Sequence, residues 1–166
     1  MIRVGILTVS DRGASGERED QSGPLIKEIM QNRGWETAAC SIIPDERKKI
    51  AQKLIEYADD LNIDVVFTTG GTGFAPRDVT PEATLDVVER LAPGLVQAIL
   101  FESLKITPRA MLSRAVSGIR GGTIIVNLPG SPKAVRECLD VVLPALEHGV
   151  QILRGETGDC AENQDD

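Results

Sequence analysis

Apolar residues along this chain switch between two periods. Residues 3–10 (RVGILTVS), 35–43 (WETAACSII), 64–70 (DVVFTTG) and 122–128 (GTIIVNL) are short apolar runs with many β-branched side chains, the pattern of strands. Between them the period lengthens to that of a helix. Residues 20–33 predict one, with Ser22 and Pro24 near its start and Gly34 just past its end. Asp45 opens another, whose Ile50, Leu54, Ile55, Ala58 and Leu61 make one stripe. Two more are predicted at 81–91 and 94–105. Ser131 and Pro132 then open a long helix to about residue 153, with Val135, Cys138, Leu139, Val142 and Leu146 on one face. Strand and helix alternate, which predicts an α/β protein with a mostly parallel central sheet and helices on both sides. The periodic part, 1–154, reads as one domain. Residues 155–166 have no period and five acidic side chains, and are predicted to be a disordered acidic tail.

Composition narrows the class. Of the 166 residues, 42% are hydrophobic and 26% charged, as in ordinary soluble domains, and no apolar run reaches the length of a membrane span. A net charge of −7 and the lack of a basic stripe argue against nucleic acid as a partner. Cys40, Cys138 and Cys160 lie far apart, which argues against a zinc site and a disulfide framework and fits a cytoplasmic setting. His148 stands alone, so a histidine metal site and a Ser-His-Asp mechanism have little support.

Ligands of open α/β sheets bind at the carboxyl ends of the strands. The sequence gathers its unusual residues there: Ser10-Asp11 after the first strand, Pro44-Asp45 after the second, Gly70-Gly71-Thr72-Gly73 after the third, and 128–132 (LPGSP) after the last. The glycine run is either a tight turn or a place where backbone N–H groups approach an anion. It matches neither a P-loop nor a dinucleotide fingerprint. Asp45 suits a helix N-cap and Asp78 a turn. As a pair in a phosphate-binding crevice, they also suit a bound magnesium ion, with Arg77, Arg109, Arg114 and Lys133 as cations facing the anion. Such a site points to phosphoryl or nucleotidyl transfer, which needs positioning and charge stabilisation above all.

Four segments together resemble the molybdopterin adenylyltransferase family, MogA type: 8–24 (TVSDRGASGEREDQSGP), 44–46 (PDE), 70–84 (GGTGFAPRDVTPEAT) and 112–133 (LSRAVSGIRGGTIIVNLPGSPK). The resemblance implies a three-layer α/β/α sandwich and a homotrimer. It implies magnesium-dependent transfer of AMP from ATP to molybdopterin, with release of pyrophosphate and hand-over to a molybdenum-insertion protein. By position it assigns Asp45 and Asp78 as the catalytic, metal-holding acids, and Gly70, Gly71, Thr72 and Gly73 to the nucleotide. It assigns Ser10, Asp11, Asp20, Ser22, Gly23, Ser113, Arg114, Gly130 and Ser131 to molybdopterin. Two other readings stay open, a MoaB-type paralogue and a molybdopterin-binding module without adenylyl transfer.

Overall fold

The computed structural model describes residues 1–156. Most of the expected tail therefore lies outside the described residues. In chain order the elements are β1 (Arg3–Val9), α1 (Asp11–Ala14), α2 (Ser22–Asn32), β2 (Glu36–Ile43), α3 (Arg47–Ile55), β3 (Val65–Thr69), α4 (Thr80–Leu85), β4 (Arg90–Leu91), α5 (Pro93–Leu104), β5 (Ser117–Arg120), β6 (Thr123–Leu128) and α6 (Pro132–Leu153). One sheet has the order β2-β1-β3-β6-β5-β4. The first four of these strands run parallel, and β5 is antiparallel to both its neighbours. The mostly parallel α/β/α architecture is the one the alternating periods predict.

The central strands bury side chains on both faces, so each feeds two cores. Val4, Ile6, Val65, Phe67 and Val126 pack under α2, α5 and α6, while Leu7, Val9, Val66 and Ile125 pack under α3 and α4. The predicted α6 stripe of Val135, Cys138, Leu139, Val142 and Leu146 is buried. The α3 stripe is only partly right. Ile50, Leu54 and Ala58 are buried, but Ile55 and Leu61 are 36% and 37% exposed. After Ile55 the helix widens into a π turn, Glu56–Asp60. The extra residue per turn rotates Tyr57 onto the buried face, where its ring lies against Gly5 and its hydroxyl donates to Ser41 Oγ (2.8 Å).

The expected helix at 81–91 stops at Leu85. Beyond it Glu89 N donates to Ile119 O and Ala92 N to Ser117 O, both at 2.9 Å, so the chain leaves the helix for the sheet edge. The reading by period also passed over β5. It forms a hairpin with β6 through Gly121 and Gly122, with Gly121 at φ 53°. A Gly-Gly pair between β-branched runs is a hairpin signal in its own right.

Candidate active site

The strand order reverses between β1 and β3, and a crevice of about 390 Å³ opens at their carboxyl ends. Ser10, Asp20, Ser22, Asp45, Gly70, Gly71, Asp78, Gly130 and Ser131 all line it, as do Thr8, Gly13, Arg18, Gln21 and Thr69, which motif spacing did not single out.

Two helices aim their N-termini at this space. Asp20 prepares the first: Oδ1 accepts from Ser22 N (3.1 Å) and Gly23 N (3.0 Å), and Oδ2 accepts from Thr8 Oγ1 (2.7 Å). The carboxylate thus satisfies open donors at the start of α2, and Gly23 lets it lie close. Ser131 caps α6 through Ala134 N (3.2 Å). Ser22 Oγ donates to Gly130 O (2.8 Å) and Thr69 Oγ1 to Pro129 O (2.7 Å), which ties α2 and β3 to the turn leading into α6. The partial positive charge of both helix ends favours an anion between them.

The acidic pair lines the same crevice. Asp45 does not cap α3, because Glu46 holds the cap position. Instead Asp45 Oδ2 accepts from Asp11 N (2.8 Å) and Asp11 Oδ1 accepts from Asp45 N (3.0 Å), a reciprocal tie between the ends of β1 and β2. Asp78 Oδ2 accepts from Ala75 N (3.0 Å), so Asp78 holds a turn and lines the crevice at once. Between the acids runs the glycine loop, with Gly70 at φ 97° and Gly71 at φ 68°. Thr80 sits one residue inside α4 rather than at its cap. Its hydroxyl donates to Gly70 O (3.0 Å) and its N–H to Gly71 O (3.1 Å), closing the loop.

Four expected cations are engaged elsewhere or lie away from the crevice. Arg77 makes a two-pronged contact with Asp11 (2.8 and 2.9 Å). Arg114 donates to Gly73 O (2.7 Å), Asp78 O (2.6 Å) and Glu82 Oε1, and so clamps the glycine loop from behind. Lys133 pairs with Glu137 at 3.9 Å. Arg109, Ser113, Thr72 and Gly73 line a second, more apolar cavity of about 480 Å³ beyond the loop.

Burial pushes the Asp45 carboxyl above its ordinary range, and the nearby Asp11 and Asp78 charges add to this against the Asp11 N–H. Hydrogen bonds from Arg77 hold Asp11 below that range. Between the ordinary range and the raised value, Asp45 binds more proton in the folded chain than in the unfolded one. Its contribution to stability falls as pH rises from the ordinary range through the raised value, and stays lost above it. Asp11 has the opposite sign: its contribution is present above the ordinary range and is lost as pH falls through the depressed value. Asp45→Asn keeps an acceptor for Asp11 N and removes the ionisation. Its thermal midpoint is expected to match or exceed that of the unaltered protein at neutral pH, with the advantage shrinking in acid. Melting curves across pH check this; a midpoint well below that of the unaltered protein at neutral pH would refute it.

A doubly wound sheet with helix N-termini, backbone donors and two carboxylates at its switch point defines a class, that of open α/β domains with a ligand crevice at the carboxyl ends of their strands. Within it the match is specific. Residues 5–148 match the model of the probable molybdopterin binding domain. The chain is 43% identical to the molybdopterin adenylyltransferase of Helicobacter pylori strain J99, over 93% of this chain and 89% of that one. It is 45% identical to gephyrin of Dictyostelium discoideum over 92% of its own length but 23% of gephyrin's. The crystal structure of the molybdopterin biosynthesis enzyme MoaB from Thermus thermophilus superposes with a TM-score of 0.88 at 48% identity, covering 93% of this chain and 98% of that one. The chain belongs to the molybdopterin-binding domain family, with molybdopterin adenylyltransferases among its relatives.

Proposed function

We propose that this protein transfers AMP from ATP to molybdopterin. An oxygen of the pterin's phosphate attacks the α-phosphorus of ATP, the bond from that phosphorus to the bridging oxygen breaks, and pyrophosphate leaves. The observation that carries this reading is the pair Asp45 and Asp78 lining one crevice on either side of a backbone-rich turn. Each carboxylate has one oxygen bound by a backbone N–H, which fixes its position before substrate arrives.

The two acids suit Mg²⁺, a hard cation that prefers oxygen ligands and takes others from substrate phosphates. Among the described residues no cluster of three His, Cys, Asp or Glu side chains is placed to hold a metal ion, and a pair of carboxylates leaves the other ligand positions to phosphate oxygens and water. When bound, the ion would neutralise charge on the reacting phosphates. Gly70 and Gly71 present backbone to the nucleotide in this assignment, with Thr72 and Gly73 continuing the strip behind Arg114. Ser10, Asp11, Asp20, Ser22, Gly23, Gly130 and Ser131 shape the pterin side. The side chains of Ser10, Asp20 and Ser131 serve more by holding helix ends in place than by direct contact, since they already cap. Ser113 lies in the second cavity, beyond the loop.

Purified protein incubated with molybdopterin, ATP and Mg²⁺ should yield adenylylated pterin and pyrophosphate. The likeness to a MoaB enzyme at 48% identity supports a second reading, a MoaB-type paralogue. Pterin binding with no pyrophosphate release would favour that reading. The adenylylated product suits hand-over to a molybdenum-insertion protein, and a cytoplasmic location fits. Among the described residues no helix is long and apolar enough to cross a membrane.

A homotrimer is part of the same proposal. Of the apolar residues on α5 only Ile99 is buried, and Phe101 (65%), Ile106 (56%) and Met111 (62%) are exposed on and just after it. An apolar face of this kind calls for a covering surface, and cyclic symmetry gives each copy one. Light scattering at micromolar concentration should give three times the chain mass; a stable monomer would reject the trimer.

A further inference from the structure

We propose that Arg18 is the cation that holds a phosphate group of the substrate in the crevice, an assignment that rests on the adenylyl-transfer reading above. Arg18 lies in the segment between α1 and α2, and its N–H donates to Arg12 O (3.2 Å), which folds that segment back onto α1. Arg18 lines the cavity alongside Glu19, Asp20, Asp45 and Asp78. Four acidic residues thus share with one arginine the lining of a space where, on the reading above, a phosphorylated ligand binds. Without a cation, their repulsion would oppose the pull of the helix ends.

Two other arginines near the crevice have partners, and Arg12, which has no side-chain partner among the described residues, does not line it. Arg77 is held by Asp11, and Arg114 by Glu82 and two carbonyls. Arg18 makes no side-chain hydrogen bond or ion pair among the described residues, although Glu17 and Glu19 flank it in sequence. Asp20, also nearby, is saturated by Thr8, Ser22 and Gly23. The guanidinium therefore keeps its fork of donors for a ligand, and that fork matches phosphate oxygens in pairs. Ser22 at the start of α2 and Ser131 at the cap of α6 line the same crevice, so helix ends and side chain can act on one anion there. Either substrate can supply the phosphate, since ATP and molybdopterin both carry one.

Arg18 is exposed, so Arg18→Ala and Arg18→Lys should fold as the unaltered protein does. The test is calorimetric affinity for three probes: ATP with Mg²⁺, inorganic pyrophosphate, and molybdopterin, each at low and high salt. Arg18→Ala should bind at least one of them about threefold to fivefold more weakly at low salt, the discounted worth of one exposed charged contact. High salt should narrow the gap, and Arg18→Lys should recover most of the loss. KM for that substrate should rise while kcat changes little. Weakened ATP and pyrophosphate places the nucleotide's phosphates at Arg18; weakened molybdopterin alone places the pterin's there. If both variants bound all three probes as the unaltered protein does, or if none bound to it at all, the assignment would be overturned. A protein that makes no adenylylated pterin, yet loses phosphate affinity in Arg18→Ala, would sink the enzymatic reading and leave Arg18 in its role.

Discussion

Asp78→Asn is expected to lower kcat by at least ~100-fold, the effect of losing one preorganised electrostatic contact worth about 3 kcal/mol. The fold should survive. The turn at 75–78 is closed by Asp78 N donating to Ala75 O (2.9 Å) and by Ala75 N donating to the side chain (3.0 Å), and an asparagine oxygen can accept that second bond. Arg114 holds the Asp78 carbonyl, which the substitution does not touch. The change thus removes charge and little else. Single-turnover rates, with separate titrations of ATP and molybdopterin, isolate the loss. Pterin affinity should hardly move, because the pterin is assigned to the α2 and α6 side of the crevice. A variant that turned over normally while binding both substrates would reduce Asp78 to a turn residue.

Gly70→Ala is expected to cost about 2 kcal/mol or more of stability and to abolish turnover, because two constraints act at one atom. Gly70 has φ 97°, a conformation L side chains rarely adopt, and a Cβ there would lie 2.4 Å from the Val9 carbonyl oxygen. The obstacle is backbone of β1, so no rotamer relieves it. The ends of β1 and β3 would have to part, and they form the floor of the crevice. Gly130→Ala is the control, since its Cβ would meet Gly70 Cα at an ordinary 3.6 Å. Denaturant melts of the two variants should differ sharply; equal midpoints would mean that the loop yields. Gly71→Val is expected to weaken ATP binding along with turnover, and it meets a similar obstacle in the fold. The structure puts its Cβ 2.4 Å from Thr80 Oγ1 and 3.1 Å from Asp45 Oδ1, with φ at 68°, so fold and acid would be disturbed together.

The strands, the long helices and the strand ends that carry the site were legible in the chain, because each depends on neighbours within a few residues. A buried strand needs a short β-branched run, a helix needs its stripe and cap, and a doubly wound sheet places function at strand ends. That is why β1, β3, β6 and the Ser131 cap stand where the pattern puts them, and why the motif residues Asp45, Asp78 and Gly70 share one crevice. Short elements were less legible. β4 has two residues and exists because Glu89 and Ala92 find β5 across the sheet, and the π turn after α3 reflects packing of Tyr57 against Gly5.

Partnerships between distant charges were not legible at all. Arg77 and Asp11 are 66 residues apart, and Arg114 and Glu82 are 32 apart. Spacing along a chain says nothing about which of several arginines a carboxylate will meet. The sequence therefore offered Arg77, Arg109, Arg114 and Lys133 as cations for the anion, and passed over Arg18, which sits among acidic residues in a segment without a period. Tertiary structure decided otherwise, because charge pairing falls off with distance in space, and only the closed fold sets those distances.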